Sequence, residues 1–224
     1  MKNSSKVIKF LNCKIDLSKA VFQPRPETGF WLKKAILEMK GIKKRRIDLL
    51  DIFSGSGCIG IAILKNVKNA FLDFLDIDPK AIEQIKINLK LNKISPERYR
   101  IFQSNLFEKI KKRICQSNKD SSLAYDFILA NPPYVAKERI FEVQDLVKKY
   151  EPKISWYGGK GGLKYIFPFL KEAKKYLKEN GKIFLEIDPL QKGEIEKILK
   201  KENYSNFKFY KDQFKKIRYL KIKK

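Results

Sequence analysis

From residue 47 onward, the sequence alternates between short apolar runs and longer segments with helical periodicity. Residues 47–53 are mostly apolar, as expected of a strand covered on both faces, and a glycine-rich turn and a helix-like segment follow. Further apolar runs, each predicted to be a strand, lie at 70–77, 100–104, 125–130 and 182–187. This alternation predicts an α/β fold with a doubly wound, mainly parallel sheet, whose ligands bind beyond the carboxyl ends of the strands.

The N-terminal region departs from this alternation. Residues 10–17 and 21–23 are predicted to pair as a short β-hairpin, which Pro24 ends. A helix follows, for which Thr28 is a suitable N-cap and Gly41 a suitable end. We expect this hairpin and helix, within residues 1–45, to pack on the domain that follows.

The C-terminal region is predicted to close the fold. Helices are expected at 163–178 and 191–201, and residues 206–210 and 217–222 alternate as in an antiparallel hairpin. Two segments are predicted to be loops, a polar surface loop at 117–122 and a mobile glycine-rich loop at 158–162. Residues 46–224 are therefore interpreted as one larger domain, which forms a single compact unit with the N-terminal region.

Several function classes are excluded by composition. Histidine is absent, which removes Ser-His-Asp and Cys-His triads, histidine-ligated metals and imidazole bases. The three cysteines, Cys13, Cys58 and Cys115, are widely spaced, so we expect neither a zinc site nor a disulfide framework. No apolar run approaches the roughly 20 residues of a membrane span, and no secretory signal is evident. A cytoplasmic protein without membrane association, and a monomer, is expected.

The chain is strongly basic, with 50 Lys and Arg against 25 Asp and Glu and a formal charge of +25. Such a charge is compatible with a polyanionic partner, either a nucleic acid or the ribosome. A Lys-rich composition without such a partner explains it equally well, because the basic residues are spread over many segments. Charge alone therefore does not assign nucleic-acid binding.

The turn after the first predicted strand of the sheet has the form of a nucleotide-binding turn. Gly55, Gly57 and Gly60 form a G-x-G-x-x-G pattern, which lets the backbone turn tightly and lets a ligand approach the start of a helix. Asp76 ends the next strand, where a carboxylate can accept hydrogen bonds from ribose hydroxyls. NAD and S-adenosylmethionine both fit these features. No Lys-Ser/Thr pair follows the glycines, which excludes a P-loop.

A second loop, Asn131, Pro132, Pro133 and Tyr134, follows the apolar strand at 125–130. The Asn131 side-chain oxygen and the Pro132 carbonyl can accept from the two N–H bonds of a planar NH₂ group and direct its lone pair toward a methyl donor. Proline has no N–H of its own to compete, and Tyr134 can stack on a flat substrate group. Because positioning does most of the work, this chemistry requires no histidine base. The loop favours S-adenosylmethionine-dependent methyl transfer to an amide or amino nitrogen.

Beyond these two loops, a wider set of residues resembles one known family. They are 24–28, the turn at 51–57, Asp76, 104–107, 131–134, 150–152, 158–163, 185–187 and Gln191. In these segments the chain resembles the release factor glutamine methyltransferase (HemK/PrmC) family. That family methylates the side-chain N5 nitrogen of the glutamine in the Gly-Gly-Gln motif of peptide-chain release factors. The resemblance implies a class I, Rossmann-like methyltransferase domain in residues 46–224, with S-adenosylmethionine as cofactor and a release factor as partner.

Site residues follow from the resemblance position by position. Phe53, Ser54, Gly55, Ser56 and Gly57 would wrap the methionine end of the cofactor. Asp76 would hold the ribose with Ile77 beside it, Asn105 and Leu106 would flank the adenine, and Asn131 would reach the cofactor as well. Asn131, Pro132, Pro133 and Tyr134 would bind the substrate glutamine, with Asn131, Pro132 and Tyr134 as the catalytic residues.

The chain departs from the family pattern at several positions. Phe53 and Ser54 replace a usual Gly-Thr, so Phe53 is expected to narrow the pocket. Asn105 and Gly161 each replace a usual Asp, which removes a charge near the adenine and an anchor of the glycine loop. The helical N-terminal domain with which relatives grip the release factor is missing from the sequence. That difference is expected to affect partner affinity more than chemistry.

Three alternatives fit part of the sequence. An N6-adenine or ribosomal RNA amino-methyltransferase would use the same loop on another planar amino group, and the net charge favours it. A NAD-linked dehydrogenase is supported by the glycine pattern alone and leaves the Asn-Pro-Pro-Tyr loop unexplained. A non-catalytic RNA-binding protein with a methyltransferase fold would have no need of an intact loop.

Overall fold

The computed structural model describes residues 6–116 and 124–224. The strands are β1 (Val7–Phe10), β2 (Cys13–Asp16), β3 (Ile47–Ile52), β4 (Ala70–Asp76), β5 (Tyr99–Gln103), β6 (Tyr125–Ala130), β7 (Leu177–Glu186), β8 (Asn206–Lys211) and β9 (Ile217–Lys223). The α-helices are α1 (Pro26–Lys40), α2 (Cys58–Asn66), α3 (Pro79–Leu91), α4 (Glu108–Gln116), α5 (Asp145–Tyr150), α6 (Ile166–Ala173) and α7 (Lys192–Lys201). The surface loop predicted at 117–122 lies outside the described residues.

Seven strands form the central sheet in the order β5-β4-β3-β6-β7-β9-β8. All pairs from β5 to β7 are parallel, whereas β9 pairs antiparallel with both β7 and β8. This arrangement confirms the predicted doubly wound, mainly parallel sheet and its C-terminal antiparallel hairpin. The strand order reverses between β3 and β6, so their carboxyl ends form the switch point at which such sheets bind ligands.

Both faces of the sheet are covered by helices. One buried apolar cluster joins α1, α2 and α3 to one face, and a second joins α6 and α7 to the other. Every residue of β6 is buried, as expected of a central parallel strand. Within the described part of the chain, no helix combines the length and the apolar character needed to cross a bilayer.

The N-terminal hairpin exists, but its strands differ from those predicted. β1 pairs antiparallel with β2, so the chain turns within the segment that was predicted to be a single strand. The turn consists of Leu11, with φ of 51°, and Asn12, a common turn residue, and it holds neither glycine nor proline. The strand predicted at 21–23 was wrong, since those residues form no strand and run along a cleft described below.

Helix α1 begins earlier than predicted, and Thr28 is not its N-cap. Arg25 is the N-cap residue and Pro26 occupies the first helical position, where its fixed φ and missing N–H have no cost. Thr28 therefore lies inside the helix, fully buried. The predicted end was correct, because Gly41 is the C-cap, although in a right-handed conformation with φ of −74°.

The helix α3 holds the N-terminal region against the sheet through polar side chains that sequence reasoning missed. The predicted cap is present, because the Asp78 side chain accepts from the Lys80 amide at 2.9 Å. On the face toward the hairpin, Asn88 accepts from the Asp16 amide at 2.7 Å and donates to the Asp16 carbonyl at 3.0 Å. The Gln84 amide also donates to the Asp16 carboxylate at 3.0 Å. These buried bonds fix the hairpin on the domain.

The helix predicted at 163–178 is shorter in the structure. Helix α6 ends at Ala173, and β7 already begins at Leu177. Within β7, Asn180 has φ of 64° and the pairing with β6 is irregular at this point. A Cβ at Gly181 would lie 2.9 Å from the Tyr125 carbonyl, so glycine permits the close approach that starts the regular part of the strand.

Candidate active site

A cleft lies at the carboxyl ends of β3, β4 and β6, the edge at which doubly wound sheets bind ligands. The predicted cofactor-binding residues that line it are Phe53, Gly55, Asp76, Ile77, Asn105, Leu106 and Asn131. The structure thus brings together residues from four separate segments. Three other predicted residues, Ser54, Ser56 and Gly57, are not among those that line it.

Asp76 organises the glycine turn at the end of β4. One of its carboxylate oxygens accepts from the Gly55 amide at 2.8 Å and the other from the Asp78 amide at 2.9 Å. Burial raises the pKa of Asp76 to about 6, against the two backbone hydrogen bonds that lower it. Each oxygen keeps a further lone pair, so the carboxylate can also accept from hydroxyl groups in the cleft.

The three predicted residues that do not line the cleft are Ser54, Ser56 and Gly57. They stabilise the glycine turn through hydrogen bonds and backbone conformation. The Ser54 hydroxyl donates to the Asp51 carbonyl at 2.7 Å and accepts from the Leu75 amide at 3.1 Å, which joins β3 to β4. The Ser56 carbonyl accepts from Asn88 at 2.9 Å. Gly57 has φ of 75° at the start of α2, a conformation that glycine adopts without strain.

Asp51 lies fully buried beneath the same turn. One of its oxygens accepts from the Gly60 amide at 3.0 Å, and the other has no hydrogen-bond partner in the structure. Burial, with a smaller contribution from the nearby Asp76 charge, raises the pKa of Asp51 to about 8, against the Gly60 hydrogen bond that lowers it. A Cβ at Gly60 would lie 2.3 Å from the Phe74 ring, so this third glycine of the pattern is required for packing.

Phe53 lines the cleft with an unusual backbone conformation. Its φ is 62°, in the left-handed region that favours glycine. Its ring makes edge contacts with Tyr165 and Phe169, each at a centroid distance of 6.1 Å. These aromatic contacts hold the Phe53 ring at the wall of the cleft, although its backbone conformation favours glycine.

A second pocket, of about 760 Å³, opens on the other side of the Asn-Pro-Pro-Tyr loop. Asn131 and Pro133 line both pockets, whereas Pro132 and Tyr134 line only the second. The loop therefore stands between the first cleft and the second pocket, with Asn131 and Pro133 exposed to both.

The Asn-Pro-Pro-Tyr loop is connected to a buried carboxylate, Glu186, at the end of β7. The Tyr134 hydroxyl donates to Glu186 Oε1 at 3.3 Å, and Thr28 Oγ1 and Trp31 Nε1 donate to its Oε2 at 2.7 and 2.8 Å. Asn131 Nδ2 in turn donates to Thr28 Oγ1 at 3.4 Å. Burial raises the pKa of Glu186. The sequence predicts Thr28 as a helix cap, and it marks Glu186 as an acidic residue inside an apolar strand and as part of the segment 185–187 that carries the family resemblance.

The glycine-rich segment at 158–162 packs directly behind the loop. The Gln191 amide donates to the Gly162 carbonyl at 2.9 Å and to the Tyr134 carbonyl at 3.2 Å. A Cβ at Gly162 would lie 2.1 Å from the Tyr134 carbonyl oxygen, so glycine is needed for this approach. The sequence predicted a mobile loop, but these hydrogen bonds tie the segment to the Asn-Pro-Pro-Tyr loop. The Gln191 amide also donates to the Gly161 carbonyl at 3.2 Å, so it anchors the segment through backbone groups.

The second pocket has two polar features that sequence reasoning did not identify. Arg25, on its rim, forms an ion pair with Glu151 at 2.5 Å and lies over the Phe22 ring at 5.1 Å. Trp156 also lines the pocket, and its buried indole N–H has no hydrogen-bond partner in the structure. Among residues 6–116 and 124–224, no cluster of histidine, cysteine or acidic side chains could hold a metal ion.

Comparison with known proteins agrees with this geometry. The methyltransferase small domain family matches residues 35–152. The release factor glutamine methyltransferase of Thermodesulfovibrio yellowstonii is 32% identical over 203 residues, which cover 91% of this chain and 68% of that protein. The enzyme of the same name from Fusobacterium nucleatum is 33% identical over 203 residues, 91% of this chain and 54% of its own length. The chain thus spans between half and about two thirds of these relatives.

Solved structures share the fold at lower identity. The T. thermophilus 16S rRNA N2 G1207 methyltransferase, in complex with AdoMet and guanosine, has a TM-score of 0.66 at 17% identity over 98% of this chain and 50% of its own. M. jannaschii TYW2 in complex with AdoMet has a TM-score of 0.56 at 16% identity over 100% of this chain and 86% of its own. These structures support the fold, whereas the domain match and the two sequence relatives identify the family. The chain belongs to the release factor glutamine methyltransferase family of S-adenosylmethionine-dependent enzymes.

Proposed function

We propose that the chain transfers a methyl group from S-adenosylmethionine to the side-chain amide nitrogen of the glutamine in the Gly-Gly-Gln motif of peptide-chain release factors. The names of its relatives support this substrate. The observation that carries the proposal is the position of Asn131, which lines both the first cleft and the second pocket. A group held by Asn131 therefore lies between the two ligands.

The residues of the first cleft fit the cofactor. Asp76 offers acceptor lone pairs for ribose hydroxyls, and Ile77 and Leu106 offer apolar surface for the adenine, with the Asn105 side chain at the same end. The backbone from Phe53 to Gly57 is proposed to enclose the methionine end, with Ser54, Ser56 and Gly57 acting through the shape of the turn. When bound, S-adenosylmethionine supplies an activated methyl group and a neutral thioether as leaving group.

The Asn-Pro-Pro-Tyr loop supplies the acceptor side of the reaction. An amide nitrogen is a poor nucleophile because its lone pair is delocalised into the carbonyl. Two acceptors, Asn131 Oδ1 and the Pro132 carbonyl, would hold its two N–H bonds and direct the lone pair toward the cleft. Tyr134, whose hydroxyl is held by Glu186, would pack its ring against the flat amide.

The N-terminal residues are proposed to belong to the catalytic unit, although the boundary at residue 46 separates them in sequence. Thr28 of α1 bonds Glu186, and Val21 and Phe22 line the first cleft. These contacts support the view that residues 1–45 complete the active site of the domain at 46–224.

A labelling experiment tests the proposed substrate. Purified protein is incubated with methyl-labelled S-adenosylmethionine and either a release factor, a release factor whose motif glutamine is changed to methionine, or RNA. Mass spectrometry then locates the label. The proposal predicts one methyl group on the glutamine of the Gly-Gly-Gln motif and none on the methionine variant. Labelled RNA with an unlabelled release factor would overturn it.

The second candidate is an N6-adenine or ribosomal RNA amino-methyltransferase. The formal charge of +25 favours it, because a basic surface attracts a phosphate backbone. It predicts that the RNA arm of the same experiment is labelled on an exocyclic amino group, and that labelling falls steeply as salt is raised. The identity to the release factor enzymes favours the first candidate.

A further inference from the structure

The two ends of an asparagine side chain are almost the same size but have opposite hydrogen-bonding properties. The oxygen accepts, whereas the NH₂ group donates. To hold a substrate NH₂ group, Asn131 must present its side-chain oxygen. Its own NH₂ group can only donate, so it could not accept from the two N–H bonds of the substrate. The orientation of this one amide therefore decides whether the loop can bind its substrate.

Thr28 is the neighbour that can distinguish the two ends. Its hydroxyl carries one hydrogen, which it donates to Glu186 Oε2 at 2.7 Å. With that hydrogen committed, Thr28 Oγ1 can act toward Asn131 as an acceptor alone. The Asn131 atom that faces it at 3.4 Å must then be the NH₂ nitrogen, as the structure has it.

Glu186 fixes the direction of the Thr28 hydroxyl. In its ionised form this fully buried side chain can only accept, so the hydroxyls of Thr28 and Tyr134 then point their hydrogens at it. Thr28 and Trp31 converge on Oε2, and Tyr134 donates to Oε1. The same carboxylate therefore orients both Thr28 and the last residue of the Asn-Pro-Pro-Tyr loop.

We propose that Thr28 and Glu186 are positioning residues that set the orientation of the Asn131 amide, so that its oxygen faces the substrate nitrogen. This inference rests on the proposed function, since it is the methylation of an NH₂ group that requires the oxygen. Neither residue touches the substrate in this scheme. Glu186 orients Thr28, Thr28 orients Asn131, and Asn131 binds the amide.

Three variants separate positioning from general support of the fold. Thr28→Val keeps the side-chain shape and removes the hydroxyl, and Thr28→Ser keeps the hydroxyl. Trp31→Phe is the matched control, because it also removes one donor from Glu186 Oε2 but leaves the bond between Thr28 and Asn131 intact. For each variant, kcat, KM for the release factor, the Kd of S-adenosylmethionine and Tm are measured on the full chain.

The proposal predicts that Thr28→Val lowers kcat/KM for the release factor at least about tenfold, the effect of losing one oriented hydrogen bond of about 1.4 kcal/mol. Thr28→Ser should recover most of that loss. Trp31→Phe should lower Tm at least as much as Thr28→Val while its kcat/KM stays within about threefold of the wild type. Equal losses of kcat/KM in Thr28→Val and Trp31→Phe, or full activity of Thr28→Val, would overturn the proposal.

Glu186 provides a second comparison if Thr28→Val does not fold. Two donors face Oε2, so a glutamine at this position should place its oxygen there and turn its NH₂ group toward Tyr134, which can accept. Glu186→Gln should therefore retain clearly more turnover than Glu186→Met, which removes every acceptor. Equal turnover of the two variants contradicts the proposed orientation of Asn131.

The wild-type protein, measured in parallel, shows whether the proposed function has failed or only the inference about Thr28 and Glu186. If the wild-type protein does not label the release factor, the proposed function has failed, and the variants are compared on the acceptor that is labelled. If the wild-type protein labels the glutamine but Thr28→Val is as active, the inference alone has failed.

Discussion

The Arg25 guanidinium and the Glu151 carboxylate, 126 residues apart in the chain, form an ion pair with an N–O distance of 2.5 Å. Glu151 is buried, and its second oxygen has no partner in the structure. The pair joins the segment that precedes α1 to the segment after α5. It therefore holds the N-terminal region at the rim of the second pocket.

We predict that Arg25→Met destabilises the protein by about 1–3 kcal/mol, because it leaves a buried carboxylate without its counter-ion. The figure lies below that of a fully buried pair because the Arg25 side chain is 28% exposed. Glu151→Gln should cost less, and the double variant should cost less than the sum of the two. Urea unfolding of the four proteins gives this cycle, and strictly additive effects would show that the pair is not coupled.

Asn131→Ala should nearly abolish methyl transfer while cofactor binding survives. Asn131 offers one of two proposed acceptors for the substrate NH₂, and loss of one such oriented group lowers kcat by about 10²–10³-fold. The cleft keeps Asp76 and its apolar walls, so the Kd of S-adenosylmethionine measured by calorimetry should change less than about fivefold. Retained turnover would contradict the proposal that Asn131 and Pro132 hold the substrate NH₂ group.

Asn105→Asp should tighten cofactor binding, because a charged acceptor forms a stronger hydrogen bond with the adenine amino group. The structure adds a condition, since Asn105 Nδ2 donates to Glu108 Oε1 at 3.0 Å and a carboxylate there would face a like charge. The double variant Asn105→Asp/Glu108→Gln should therefore show the larger gain, about fivefold in Kd. Calorimetry that finds weaker binding in the double variant would exclude Asn105 from the adenine site.

The Phe53→Gly variant should be more stable than the Phe53→Ala variant, which is the reverse of the usual order. Both Phe53→Gly and Phe53→Ala lose the ring contacts with Tyr165 and Phe169. Alanine keeps the strain of a Cβ at φ of 62°, whereas glycine does not. We expect Phe53→Gly to unfold at higher urea, with a difference of about 1 kcal/mol, and the opposite order would mean that the backbone relaxes in the variants.

Stability should fall as the pH rises from about 5 to 8. Burial raises the pKa of Asp51 to about 8 and that of Asp76 to about 6, both above the ordinary 3.8. In this range the folded protein binds more protons than the unfolded chain, so the free energy of unfolding decreases with pH. The chain has no histidine to titrate in the same window.

Asp51→Asn isolates the larger contribution. The substitution removes the buried charge, so the loss of stability between pH 5 and 8 should shrink by at least about 1 kcal/mol relative to the wild type. Urea unfolding at both pH values measures it in the protein without cofactor. The same slope in the variant and the wild type would show that Asp51 is not the group responsible.

The sheet and its ligand edge could be predicted because they depend on local signals. Each of these signals is contained in a few consecutive residues. They are the apolar runs of β3 and β6, the glycine turn and the Asp78-Pro79 start of α3. The place of Asn131 to Tyr134 at the end of β6 follows from the same local signals, whereas the chemistry proposed for these four residues stays a prediction. Their meeting at one edge then follows from parallel topology.

What could not be predicted depends on contacts between distant segments. Thr28 is a residue type that often caps helices. Its hydrogen bond with Glu186, 158 residues away in sequence, is visible only in the folded chain. The hairpin turn at Leu11 lacks the glycine or proline that usually marks a turn. Gln84 and Asn88 are polar residues buried on α3 because the N-terminal hairpin supplies their partners, a context that periodicity does not contain.

A crystal structure of the ternary complex with S-adenosylhomocysteine and a release factor is the most direct test of the mechanism. The account predicts that the glutamine side-chain nitrogen lies within about 3.2 Å of both Asn131 Oδ1 and the Pro132 carbonyl oxygen. A glutamine bound elsewhere, or Asn131 turned with its NH₂ group toward the substrate, would contradict it.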